Sequence, residues 1–311
     1  MLVKPKIALA DSQGLQLSLC PEKITLFGRL LEVRGFPFIS QDTDVTTCAQ
    51  ATLWMLRRYY SNRYSQYAET RPYQLATFAR QHLRGDRSFP ASGLMDWQMA
   101  EMLRGLGFSP VIHVRKICRQ SEVGQQSADP AQKVEAEQKQ AEAQRNADAT
   151  FNQILQIYLD SGIPLVLSFY PKEADGVSHA TACFGFRHRH RSRHNPGKGE
   201  FRAYESGSLL VNDDNFGPYL EVLSEQGEGI QSVYAQAPEL ARVSSMVVPL
   251  PEGISLLADQ FNELVRTLLT DRKYGIKACS PTLHAVENLT LRIYLTTCRN
   301  LKQHAPGPAD G

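Results

Sequence analysis

The sequence predicts an α+β protein, because helix-length amphipathic segments dominate its first third and short apolar strands its second half. Hydrophobic residues make up 42% of the 311 residues and charged residues 21%, so a sizeable core is available. At about 150 residues per domain, this length corresponds to roughly two domains. We assign residues 1–250 to a main domain and residues 251–311 to a C-terminal extension that completes the fold or forms a small accessory unit.

The predicted helices combine apolar residues three to four positions apart with turn or capping residues at their ends. They cover residues 48–60, 74–82, 94–104, 151–159 and 254–271. The predicted strands are short apolar runs bounded by turn residues. They cover residues 108–114, 165–170, 179–187, 244–250 and 289–297, with a hairpin-like stretch at 201–213. A mainly helical N-terminal part packed against a sheet follows from this order.

Residues 121–150 have a different composition from the rest of the chain. They contain many Ala, Gln and Glu residues, no aromatic residue, and only Val123 and Val134 as large aliphatics. Such a segment buries little area, although its residues favour helix. We therefore expect an exposed helical or mobile insertion, with docking of a protein partner as the alternative function.

The charge balance excludes a strongly basic nucleic-acid-coating protein. Lys and Arg number 34 against 32 Asp and Glu, a net charge of +2. The one basic cluster is RHRHRSRH at residues 187–194, which has the composition to grip phosphate or an acidic peptide. A solvated loop between two strands is the favoured interpretation, so no nucleic-acid partner is expected.

The cysteines indicate reduced thiols rather than a disulfide scaffold. Six cysteines are spread over the chain without a CxxC pair. The first 20 residues lack the continuous apolar stretch of a secretory signal, and no apolar run is long enough to span a bilayer. We expect a cytoplasmic protein without membrane contact. Zinc-finger spacing and HExxH are missing, so neither a metal nor a cofactor is expected.

Four residues in a fixed order suggest nucleophilic catalysis. Cys48 opens a predicted helix, where backbone N–H groups stabilise a thiolate. Gln41 precedes it in a polar loop and has the amide needed to donate to an oxyanion. His179 opens a predicted strand, and Asp213 closes the next one, where it is suited to orient an imidazole. Asp214 is the alternative acid. Each residue alone has an ordinary structural explanation; their order and setting favour a site.

This order resembles that of the papain-like cysteine peptidases, and among them the bacteriocin-processing (leader-peptide) peptidases. The matching segments are SQDTDVTTCAQATLWML, GVSHATACFGF, LLVNDD and GLMDWQMAEMLRGLGFSPVIHV, within about residues 30–220. The chain departs from the family pattern in having Ala49 after the nucleophile position, one extra residue between Gln41 and Cys48, and a long 187–200 loop.

The resemblance implies a papain-like fold and a cysteine hydrolase that cleaves peptide or isopeptide bonds. It assigns the nucleophile to Cys48, the acid–base role to His179, the orienting role to Asp213 and the oxyanion donor to Gln41. The alternatives are deamidation, transglutamination or acyl transfer on the same triad, or a non-catalytic binding module. A peptide or protein is the expected substrate.

Overall fold

The computed structural model describes residues 15–40, 48–82, 94–118, 130–169, 179–188, 206–223, 243–254 and 257–270. The five helices in these ranges are α1 (Cys48–Arg63), α2 (Pro72–His82), α3 (Asp96–Gly105), α4 (Pro130–Asp160) and α5 (Ala258–Thr270). The strands are β1 (Leu15–Leu17), β2 (Cys20–Leu26), β3 (Arg29–Gly35), β4 (Phe108–Val114), β5 (Leu165–Phe169), β6 (His179–His188), β7 (Ser206–Asp213), β8 (Gly217–Leu223) and β9 (Val243–Pro251). The predicted strand at 289–297 and the residue Gln41 lie outside the described ranges.

One antiparallel sheet forms the centre of the fold. Its strand order is β4-β9-β5-β6-β7-β8. The short strand β1 also pairs with β6, at residues 185–187, whereas β5 pairs with residues 179–183 of the same strand. Helices packed on an antiparallel sheet confirm the predicted α+β class.

Alternation along the strands gives the sheet two apolar faces. On β5, Val166 belongs to a core cluster formed with α1 and α3, whereas Leu165 and Leu167 belong to a second cluster formed with α4. A strand buried on both faces is expected to be apolar throughout, as β5 is. The sheet therefore lies between two layers of helix, and the layer that contains α1 carries the candidate nucleophile.

The first part of the described chain differs from the mainly helical expectation, which was wrong for residues 15–35. These residues form β1 and an antiparallel hairpin of β2 and β3. The hairpin turns at Phe27 and Gly28, whose φ angles of 49° and 76° are the pair of positive values that a type I′ turn requires. Gly tolerates this geometry, but Phe is an unusual turn residue, so the turn is difficult to predict from sequence.

Residues 130–150 are helical and continue without a break into the segment predicted as a separate helix. Together they form α4, which has 31 residues and a length of about 46 Å. Only its last third is anchored by large buried side chains, among them Phe151, Leu155 and Tyr158. None of the described helices is both long and apolar enough to cross a membrane.

Candidate active site

Cys48 is the first residue of α1, and its side chain is half-buried. One turn further along, the Thr52 hydroxyl donates a hydrogen bond of 3.0 Å to the backbone carbonyl of Ala180. Ala180 follows His179 at the start of β6, so this buried bond fixes the N-terminal turn of α1 against the strand that carries the imidazole. The helix start also directs backbone N–H groups toward the sulfur, where they favour negative charge.

His179 contacts both partners expected of a catalytic imidazole. Its Nε2 lies 2.7 Å from Oδ2 of Asp213, and its side chain is 6% exposed. A second side-chain hydrogen bond joins it to Cys48. Because Nε2 faces the carboxylate, Nδ1 is the ring nitrogen left for the sulfur. When the ring is neutral, the tautomer compatible with both hydrogen bonds carries its proton on Nε2 and can accept the thiol proton at Nδ1.

Asp213 is held in place by the turn that follows β7. Its Oδ1 accepts backbone N–H hydrogen bonds from Asn215 at 2.9 Å and Phe216 at 3.1 Å, while Oδ2 faces His179. The residue is fully buried. Pairing of β6 with β7, in register at Ala182 and Asn212, brings the start of one strand beside the end of the other. The carboxylate is therefore oriented before any substrate binds.

The electrostatics favour a protonated His179. Burial disfavours its positive charge, but the hydrogen bonds to Asp213 and Cys48 and their negative charges raise the pKa to about 10. An imidazolium that persists at neutral pH is the partner that a thiolate needs.

Asp214 adds a second carboxylate to the cluster. Its Oδ1 lies 4.0 Å from Nε2 of His179, beyond hydrogen-bonding distance, and its side chain is fully buried. Among the described residues, neither carboxylate oxygen has a hydrogen-bond partner outside Asp214 itself. Burial raises the pKa of Asp214 to about 6, with the charge of His179 opposing the rise and that of Asp213 adding to it. Of the two acids considered from the sequence, Asp213 is the one that contacts the imidazole.

The segment leading toward Gln41 is anchored by polar groups of β7 and β8. The Asn212 side chain donates to the Pro37 carbonyl at 2.9 Å and accepts the Tyr219 N–H at 2.8 Å. The Tyr219 hydroxyl accepts the Phe36 N–H at 2.7 Å. These bonds fix residues 36–37 beside the strand that ends in Asp213. Gln41 itself lies outside the described residues, so its position stays a prediction.

The other described cysteines lie in different environments from Cys48. Cys20 and Cys183 are fully buried, and burial raises both thiol pKa values, that of Cys183 to about 12. Cys183 packs in the apolar cluster on the α4 side of the sheet. Cys118 is half-buried beyond the end of β4. Of these four thiols, Cys48 is the one hydrogen-bonded to an imidazole.

The same cluster has a spacing that a cation would fit. Ligand atoms of His179, Asp213 and Asp214 lie within 4.8 Å of one another. A cation on Nε2 would replace the proton that this nitrogen shares with Asp213, and so would compete with the hydrogen bond described above. We assign no metal to it.

Comparison with solved structures shows a similarity in fold, whereas comparison with sequences does not. No family model and no curated protein matches the sequence. The chain is similar in structure to the peptidase domain of Streptococcus ComA, a bi-functional ABC transporter involved in a quorum-sensing pathway. The similarity covers 70% of this chain and 99% of that one, with 10% sequence identity and a TM-score of 0.35. At these values, the side-chain geometry has to carry the functional conclusion.

The structure brings together three of the four residues singled out in the sequence, namely Cys48, His179 and Asp213. Sequence reasoning did not find Thr52 or Asn212, which position the elements around them. The only available signal for Thr52 was its place one helical turn after the cysteine. Asn212 directly precedes the acid, a position that by itself predicts no contact with residues 175 positions away.

Proposed function

We propose that the chain is a cysteine peptidase that hydrolyses peptide or isopeptide bonds. The observation that carries this proposal is the continuous hydrogen-bonded chain from Cys48 through His179 to Asp213. A thiol at a helix start, a buried imidazole and a pinned carboxylate are the three groups that nucleophilic acyl chemistry requires. A peptide or protein is the proposed substrate.

Acylation begins from the ion pair in which the His179 imidazole already holds the proton of the Cys48 thiol. The thiolate attacks the carbonyl carbon of the scissile amide and forms a tetrahedral intermediate. His179 then donates its proton to the amide nitrogen as the carbon–nitrogen bond breaks. The amine leaves, and the acyl group remains on sulfur as a thioester.

Deacylation repeats these steps with water. His179 removes a proton from water, the hydroxide adds to the thioester carbonyl, and the carbon–sulfur bond breaks with release of the acid. Negative charge develops on the carbonyl oxygen in both halves. We assign its stabilisation to the Cys48 backbone N–H and the Gln41 side chain; loss of one such donor costs about 10²–10³ in kcat.

Asp213 acts on the ring rather than on the substrate. Its carboxylate holds the Nε2 proton and stabilises the imidazolium, so Nδ1 stays aimed at sulfur. Both oxygens of Asp213 already accept hydrogen bonds within the protein, so the orientation of the His179 ring does not depend on substrate.

Selective alkylation tests the proposal without knowledge of the substrate. Iodoacetamide at neutral pH is expected to modify Cys48 faster than Cys20, Cys118 or Cys183, with sites and rates read by peptide mass spectrometry. His179→Ala is expected to remove the difference, whereas Cys118→Ala, the matched control, leaves it unchanged. Equal labelling of Cys48 and Cys118 in the unmodified sequence would contradict an activated thiol.

A peptide library identifies the reaction. New N-termini that appear with the unmodified protein but not with Cys48→Ala support peptidase activity. Conversion of glutamine to glutamate without chain cleavage would instead indicate a deamidase, and amine incorporation a transferase. A library that remains unchanged although Cys48 is selectively alkylated would favour a binding role and reject the peptidase proposal.

A further inference from the structure

Asp214 is a buried carboxylate that the proposed triad does not use. It is 4% exposed, and within the described part of the chain its oxygens have no hydrogen-bond partner outside the residue itself. Buried carboxylates normally have several donors, because an unpaired charge in a protein interior is costly. Among the described residues, its positively charged neighbour is His179, with Nε2 4.0 Å from Oδ1 of Asp214. An unpartnered acid at this distance from a catalytic imidazole requires an explanation.

The neighbours of Asp214 determine how its carboxylate interacts with His179. Asp213, on the same chain turn, already has Oδ2 on His179 and Oδ1 on two backbone N–H groups. Asp214 therefore offers His179 charge rather than a hydrogen bond. Burial disfavours the ionised form of Asp214, and the positive charge of His179 favours it. The negative charge of Asp214 is therefore most stable while His179 is protonated.

We propose that Asp214 is a positioning residue that holds the proton on His179 and so stabilises the imidazolium–thiolate pair, and that protonation of Asp214 weakens this pair in acid. This inference rests on the proposed function of Cys48 and His179. It assigns to the site a second acid that acts through the imidazole and does not touch substrate.

The charged groups that face Asp214 define how it responds to pH. Among the described residues they are His179 from β6, which lowers its pKa, and Asp213 from its own strand end, which raises it. Cys48 from α1 acts on the same imidazole. Above about pH 6, Asp214 is ionised and adds its charge to the field at His179; below that pH, it is neutral and this support is lost.

Titration of the His179 imidazole by NMR, in full-length protein with labelled histidine, measures this coupling directly. In the unmodified protein the His179 resonance is expected to show a small inflection near pH 6, when Asp214 ionises, and its own midpoint at higher pH. Asp214→Asn is expected to abolish the inflection and lower the midpoint by about one pH unit or more, a tenfold weaker hold on the proton.

Two further variants make the result specific. Asp259→Asn removes the same charge from an exposed position on α5 and is expected to leave both features unchanged. Asp214→Glu keeps a carboxyl group and is expected to retain an inflection at a shifted pH. If Asp214→Asn does not fold, the Glu variant decides, because a His179 titration without any acidic inflection in that variant overturns the proposal.

The proposal stands only if Asp214→Asn removes the inflection and also lowers the midpoint. An unchanged midpoint, or an inflection that persists, assigns the effect to another group and overturns it. Its failure is distinguishable from that of the proposed function. Selective alkylation of Cys48 and peptide cleavage test the triad, whereas the titration tests Asp214 alone.

Discussion

Replacing Asp214 with Asn is expected to stabilise the folded protein at neutral pH. The carboxylate is buried without a hydrogen bond to any other described residue, so its negative charge is less stable in the folded state than in the unfolded chain. The amide has a similar shape and never ionises. The variant therefore removes the cost of burying a charge, while the volume of the side chain is nearly conserved.

The size of this effect follows from the pKa of Asp214. Burial raises it from 3.8 to about 6, which corresponds to about 3 kcal/mol because one pKa unit is about 1.36 kcal/mol. The folded state binds the proton more tightly, so this contribution favours folding below pH 3.8 and is lost as the pH rises through about 6. Burial of the amide costs about 1–3 kcal/mol at every pH and cancels from the pH dependence.

The difference in unfolding free energy between the two proteins can be measured by urea denaturation, with tryptophan fluorescence as the signal. Trp54 and Trp97 lie on α1 and α3 and report on both helices. The free energy of unfolding of Asp214→Asn, relative to the unmodified protein, is expected to increase by about 3 kcal/mol between about pH 3 and pH 7. Asp259→Asn provides the control for a general change in net charge. Parallel stability curves for Asp214→Asn and the unmodified protein across this range would refute the reasoning.

The remaining predictions concern packing around the sheet. Leu167→Ala is expected to lose about 2–5 kcal/mol of unfolding free energy in urea, because its side chain is fully buried in the α4-side core; a loss below 1 kcal/mol would contradict this packing. Gly185→Ala places a Cβ 2.5 Å from the Gln16 carbonyl oxygen, so β1 is expected to detach and exchange its amide hydrogens faster; unchanged exchange would show that β1 accommodates the methyl group. Asp148→Ala removes the carboxylate that lies 2.6 Å from the partly buried Arg115 guanidinium, with an expected loss of about 3–5 kcal/mol in thermal denaturation. Recovery in a variant that replaces both charges by apolar residues would support the ion-pair explanation, whereas equal losses would reject it.

The helices and strands that were predicted well from the sequence are those with a clear local pattern of apolar and turn residues. Residues 108–114 and 165–169 are short apolar runs flanked by turn residues, and they form β4 and β5 with nearly the expected limits. The hairpin of residues 20–35 lacked such a signal, because most of its side chains are exposed and its turn contains Phe27. Strand β8 was missed as well; its partner β7 was expected as part of a hairpin that ended at Asp213.

The candidate site shows the same division. Cys48, His179 and Asp213 have chemically distinctive side chains at the ends of local elements, so their order along the chain was informative. The contacts that fix their geometry join distant positions, such as Thr52 with Ala180 and Asn212 with Pro37. Which of two adjacent acids contacts the imidazole also depends on the turn after β7, a tertiary property that composition and spacing do not encode.

The β2–β3 hairpin has a practical consequence for handling the protein. Ile24, Leu26, Leu30 and Leu31 are about half exposed or more, and Phe27 at the turn is 97% exposed. Within the described residues, these two strands pair only with each other, so each leaves an outer edge with unused hydrogen-bonding groups. The protein is therefore expected to self-associate through the β2–β3 hairpin at high concentration. Phe27→Lys is the substitution most suited to reducing this association.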